Sequence, residues 1–174
     1  AEVIKHGVLN KDLFVWLERN AVKIKRRNLP TLQTMIRMNV QIKTAIIKKD
    51  EREHDERMLL NLGHTFGHAF EKLSGYQLPH GQAVAIGLAY ATAYAKTPER
   101  NRVLALLNEF GLPTSLSKPF QPKQIVQTML ADKKHRGSTI TLILPVTLGN
   151  MHIHRGISRR TIETFIQRYQ HEAN

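Results

Sequence analysis

The 174 residues fit one compact unit, because domains typically run to roughly 100–200 residues, and a two-domain cofactor enzyme does not fit. With 41% hydrophobic and 23% charged residues the chain has ordinary globular composition, which excludes disordered and collagen-like classes. Lys+Arg outnumber Asp+Glu 26 to 14, a net +12 that favours anionic partners, and the absence of cysteine removes disulfide scaffolds, thiolate metal sites and cysteine nucleophiles. No apolar run approaches the ~20 residues of a membrane-spanning helix, and the composition with no signal peptide suits a reducing, cytoplasmic setting.

Along the chain, Ala1–Gly7 reads as the inside of an element whose type stays open. Asp12 is expected to cap a helix through Leu13, Phe14, Trp16 and Leu17. Thr31, after Pro30, is expected to cap a longer one whose pattern Leu32, Met35, Ile36, Val40, Ile46, Ile47 carries it to about Lys49. A charged connection, Asp50–Arg57, precedes a helical segment from Met58 to Leu73, closed at Ser74-Gly75. Gly81–Ala95, rich in alanine and almost uncharged, predicts a helix buried on most sides. Helices over Glu99–Phe110 and Pro122–Asp132 follow, then a strand at Thr139–Leu144 pairing back through Met151–His154, and a last helix from Ser158. The expected fold class is therefore mainly α, a single multi-helix domain over residues 1–174 with one short, late β-hairpin. No glycine-rich phosphate loop follows a strand, so no nucleotide-binding sheet is expected.

The chemistry collects in the middle. Arg57, Asn61, His64, His68 and Glu71 are spaced by four, three, four and three residues, which on a helix places them on one face opposite the Leu and Phe residues. A solvated face usually carries Lys and Glu instead, and Asn61, Gly63 and Gly67 are poor helix formers whose cost needs a reason. His64 and His68, four apart, can reach one metal ion, although two histidines in a polar helix interface is the commoner meaning of such a pair. His80 could add a third nitrogen, and Glu2 or Glu53 an oxygen; three protein ligands with an open position would make a catalytic site. Lys43, Arg57 and the pair Lys133-Lys134 could hold a phosphate or carboxylate if the fold gathers them.

These residues also carry a resemblance. Leu60-Asn61-Leu62-Gly63-His64-Thr65-Phe66-Gly67-His68-Ala69, then Glu71 and His80-Gly81-Gln82-Ala83-Val84, closely resemble the signature of the 3-dehydroquinate synthase family. Ala1-Glu2-Val3-Ile4-Lys5-His6-Gly7, Asp50-Glu51-Arg52-Glu53, Asp132-Lys133-Lys134 and Leu142-Ile143-Leu144-Pro145 match in the same order, so the likeness covers essentially the whole chain. It departs at Gln82, where Glu is usual, and at His54, where Gly is usual.

The resemblance implies the C-terminal, mainly helical domain of such an enzyme, with the N-terminal NAD-binding domain absent from this chain. It implies a lyase that converts 3-deoxy-D-arabino-heptulosonate 7-phosphate to 3-dehydroquinate and phosphate, a step of the shikimate pathway toward chorismate and aromatic amino acids. Glu2, His64 and His80 would hold a zinc or cobalt ion, and Glu53 and His68 would carry acid/base work. Lys5, Lys43, Arg57 and Asn61 match substrate-binding positions, as does one of Lys133 and Lys134. The partners implied are a small phosphorylated sugar acid, the missing NAD-binding domain and a second copy in a homodimer. Related sugar phosphate cyclases share much of this pattern and stay open as an alternative. A basic helical nucleic-acid-binding module is disfavoured by the absence of a recognition motif and by only 6% aromatic residues.

Overall fold

The computed structural model describes residues 1–49, 56–131 and 139–172. The chain opens with a helix, α1 (Glu2–Leu9), followed by α2 (Lys11–Lys25) and the long α3 (Leu29–Lys49). A 3-10 turn, Glu56–Asn61, leads into α4 (His64–Leu73), then α5 (His80–Tyr94), α6 (Arg100–Glu109) and α7 (Pro122–Leu130). An antiparallel hairpin of β1 (Thr139–Thr147) and β2 (Asn150–Ser158) precedes α8 (Arg159–Glu172). The fold is thus mainly α with one late hairpin, as the sequence implies.

Local chemistry sets the boundaries, and in two places it is not the chemistry expected. α2 is capped by Asn10, whose side-chain oxygen accepts the Leu13 amide at 2.9 Å, rather than by Asp12. Asn28 likewise precedes α3, accepting both the Thr31 amide (3.1 Å) and the Thr31 hydroxyl (2.7 Å), so Thr31 lies inside the first turn. β1 runs past Leu144 through Pro145, because a two-stranded sheet leaves each strand an unpaired edge where a missing N–H costs nothing.

The hydrophobic core has two lobes divided by α5. On one side Phe66, Phe70, Tyr90, Ile125, Met129, Ile140 and Phe165 join α4, α5, α7, α8 and the hairpin. On the other, Ile4, Leu13, Phe14, Leu17, Leu88 and Leu107 join α1, α2, α5 and α6. α5 serves both and is buried without interruption from Ala83 to Thr92, as its alanine-rich, uncharged sequence requires.

α4 and α5 approach to backbone contact. A Cβ on Gly87 would lie 2.0 Å from the Gly63 carbonyl oxygen and 3.0 Å from the Gly67 nitrogen, so no other residue fits there. Gly63 itself has φ +76, and its carbonyl accepts the Gly67 amide at 2.9 Å to start α4. The segment Met58–Leu73 is therefore not one helix. It breaks at Leu62-Gly63, and the polar stripe divides into Arg57 and Asn61 on the 3-10 turn and His64, His68 and Glu71 on α4.

Candidate metal centre

Three helix starts meet at one place. Glu2 stands at the start of α1, His64 at the start of α4 and His80 at the start of α5. Their approach follows from the glycine contact between α4 and α5 and from the packing of α1 against α5. The Glu2 Oε1 lies 3.3 Å from His64 Nε2 and 3.8 Å from His80 Nε2, and the three offer ligand atoms within 4.8 Å of one another.

Each of these groups is held from behind. His64 Nδ1 faces the Leu62 carbonyl at 3.1 Å, which fixes the proton on Nδ1 and turns the Nε2 lone pair toward Glu2. His80 Nδ1 faces Glu71 Oε1 at 3.1 Å with the same effect on that ring. Glu2 Oε2 accepts from the Lys5 ammonium at 2.7 Å, and Lys5 also donates to the Leu60 carbonyl at 2.8 Å. Burial would raise the Glu2 carboxyl, but the adjacent His64 ring together with the hydrogen bond and charge of Lys5 outweigh it and hold the group well below the usual carboxylate range. The Lys5 ammonium is in turn depressed by its own burial, partly offset by Glu2.

This donor set suits a divalent cation. Glu2 Oε1 is a buried oxygen that accepts no well-formed hydrogen bond, and an orphaned buried carboxylate oxygen is costly unless a positive group meets it. Two imidazole nitrogens turn lone pairs to the same point, giving the mixed nitrogen and oxygen ligands of three-ligand zinc sites. Among the described residues a second group, His68, Glu71 and His80, also brings ligand atoms within 4.8 Å of one another.

The other residues singled out in the sequence are distributed around this centre. His68 is half-buried on α4, its ring edge-on to His64 with centroids 5.3 Å apart and 6.0 Å from that of His80. Lys5 is 3% exposed, two of its donors engaged by Glu2 and Leu60. Lys43 is exposed on α3 but near enough to add its charge to that of Lys5 and to lower the buried His6, whose own burial is the larger cause. Arg57 and Asn61 are half-buried on the 3-10 turn, which packs against α3 and the hairpin. Glu53, His54, Lys133 and Lys134 lie outside the described residues. Gln82 is exposed and lines a separate cavity with Ser74, Leu78, Ile86 and Phe120.

Sequence reasoning gave no role to Glu71 and did not pair Lys5 with Glu2. The second was accessible, since residues three apart on a helix face the same way. The carbonyls of Leu60 and Leu62 carry no side-chain signal at all. No described helix is long and apolar enough to cross a membrane.

Comparison with known proteins places these features in a family. The model of the family described as 3-dehydroquinate synthase C-terminal matches residues 1–135. A 3-dehydroquinate synthase of Pyrococcus abyssi is 39% identical over 161 residues, which cover 88% of this chain and 46% of the relative. One from Thermodesulfovibrio yellowstonii is 36% identical over 166 residues, covering 91% and 46%. The chain thus spans about half the length of the curated relatives it matches. Among solved structures, 2-epi-5-epi-valiolone synthase from Streptomyces hygroscopicus, with NAD+ and Zn2+ bound, superposes with a TM-score of 0.83 at 24% identity, over 98% of this chain and 50% of that one. A 2-deoxy-scyllo-inosose synthase complexed with carbaglucose-6-phosphate, NAD+ and Co2+ gives a TM-score of 0.69 at 23% identity, over 80% and 42%. At these identities the structural likeness shows a shared fold.

Proposed function

Because the chain belongs to the 3-dehydroquinate synthase C-terminal family, we propose that it is the metal- and substrate-binding part of a 3-dehydroquinate synthase, working with a dinucleotide-binding domain outside these 174 residues. The substrate is 3-deoxy-D-arabino-heptulosonate 7-phosphate and the products are 3-dehydroquinate and phosphate. The observation that carries the reading is the convergence of Glu2, His64 and His80, each oriented by a neighbour, in a chain 39% identical to a 3-dehydroquinate synthase over 88% of its length.

In this reading Glu2, His64 and His80 hold a zinc or cobalt ion. When bound, the ion and the NAD supply Lewis-acid polarisation of a substrate oxygen and a hydride acceptor that later returns the hydride. The chain's own residues do the rest. Lys5 keeps one Glu2 oxygen occupied, so the other is left to the ion. Lys43, Arg57 and Asn61, with Lys133 or Lys134, give the anionic ends of the substrate fixed partners. His68, beside both ligand imidazoles, moves a proton at the phosphate end, and Glu53 shares that acid/base work.

A related sugar phosphate cyclase is the second reading, favoured by the fold shared with the two synthases above. Titration of the zinc-loaded chain with 3-deoxy-D-arabino-heptulosonate 7-phosphate and, separately, with carbaglucose-6-phosphate separates the two. The heptulosonate should bind more tightly, because it adds a carboxylate to the phosphate, and Arg57→Ala should weaken it at least about tenfold. Tighter binding of carbaglucose-6-phosphate would move the assignment to another cyclase, and no binding of either would defeat both readings. Phosphate release by the chain with NAD and the heptulosonate should be absent; robust turnover contradicts the need for a further domain.

A further inference from the structure

We infer that His68, Glu71 and His80 form a second divalent-cation position, mutually exclusive with the one at Glu2, His64 and His80. The inference rests on the metal assignment proposed above and extends it to Glu71, a residue on the polar stripe that the proposed reaction does not use.

His80 lies between two carboxylates. Its Nε2 faces Glu2 and its Nδ1 faces Glu71. A neutral imidazole has one lone pair, on whichever nitrogen lacks the proton. With the proton on Nδ1, the ring donates to Glu71 and turns Nε2 to the first position. With the proton moved to Nε2, the Nδ1 lone pair joins Glu71 and His68, whose ligand atoms lie within the same 4.8 Å. Ligating an ion through each nitrogen at once would require an imidazolate, so only one position fills at a time. His68 and Glu71, though not His80, also line a cavity of about 310 Å³ with Thr65, Lys72, Tyr76 and Thr128, which leaves space on their side for the waters of a bound ion.

The second position is the weaker. His64 and Glu2 are oriented by Leu62 and Lys5, whereas filling the second position breaks the bond between His80 and Glu71. Losses of such supporting bonds are worth roughly 10- to 100-fold in metal affinity. An ion there also engages His68; because the two positions share His80, their ratio is set by affinity and not by metal concentration, so the second fills when the first is impaired.

Calorimetric titration of the purified chain with Zn2+ tests this through the carboxylate that matters in each background, with circular dichroism confirming that each variant is folded. The wild type binds one ion. His64→Ala still binds one, roughly 10- to 100-fold more weakly. In that background Glu71→Ala costs at least about tenfold more, whereas Glu2→Gln changes nothing further. The proposal is overturned if His64→Ala binds no zinc at millimolar concentration, or if its zinc depends on Glu2 and not on Glu71. The first position is judged separately in the wild-type background, where an unchanged affinity in Glu2→Gln would count against the Glu2 assignment alone.

Discussion

Helices α5 and α3 are both rich in apolar residues, and they are used in opposite ways. Ten consecutive residues of α5 are buried and both core lobes rest on it; of the 21 residues in α3, Thr31 alone is buried. On α3, Leu29, Ile36 and Val40 fall on one stripe at spacings of seven and four and are exposed by half or more. The lesson is that apolar periodicity reports a face that can be buried, while small residues report where a helix is pressed from several sides. The proposed metal ligand His80 sits on the pressed helix. Lys43, proposed for substrate binding, sits on the exposed one.

Gly87→Ala should break this contrast most severely. The added Cβ would meet the Gly63 carbonyl, a backbone atom that cannot swing aside, so α4 and α5 must part. The expected cost is about 3 kcal/mol, a fall in Tm of roughly 10 °C for a chain of this size, with loss of zinc affinity as the starts of α4 and α5 separate. A thermal melt within about 2 °C of wild type would mean the seam is looser than the structure has it.

Removal of a cap on the exposed helix gives an intermediate effect. Asn28→Ala leaves the Thr31 amide and hydroxyl without their acceptor and should cost about 1 kcal/mol by urea unfolding, since α3 packs on α1, α2 and the 3-10 turn despite its exposure. No measurable change would show that α3 frays freely at its start. Smallest of all, Ile36→Lys should shift stability by no more than about 0.5 kcal/mol, because its side chain leaves little water behind. A loss above ~2 kcal/mol would place α3 in the core and erase the difference between the helices.

Much of this was legible in the sequence for identifiable reasons. The burial of α5, the order of helices and the late hairpin follow from composition and periodicity, and the proposed ligands Glu2, His64 and His80 were named from the motif that resembles the family. Three features were not. Asp12 and Thr31 have the right chemistry for caps, but Asn10 and Asn28 stand three residues ahead of the amides that need them, and the sequence does not say which turn begins first. The break at Gly63 was hidden because the polar spacing continues across it in register. It becomes apparent only where Gly87 supplies a reason for the left-handed turn. The orientation of His64 and Lys5 depends on the carbonyls of Leu62 and Leu60, which every residue possesses and no motif encodes.

Zinc affinity of the wild-type chain beside His64→Ala, His80→Ala and His68→Ala bears most directly on the centre formed where α1, α4 and α5 begin. One ion per chain is expected in the wild type, weakened at least about tenfold by His64→Ala and most strongly by His80→Ala, with His68→Ala within about threefold of wild type. Equal losses in all three variants, or full affinity in His64→Ala, would contradict a centre built from Glu2, His64 and His80.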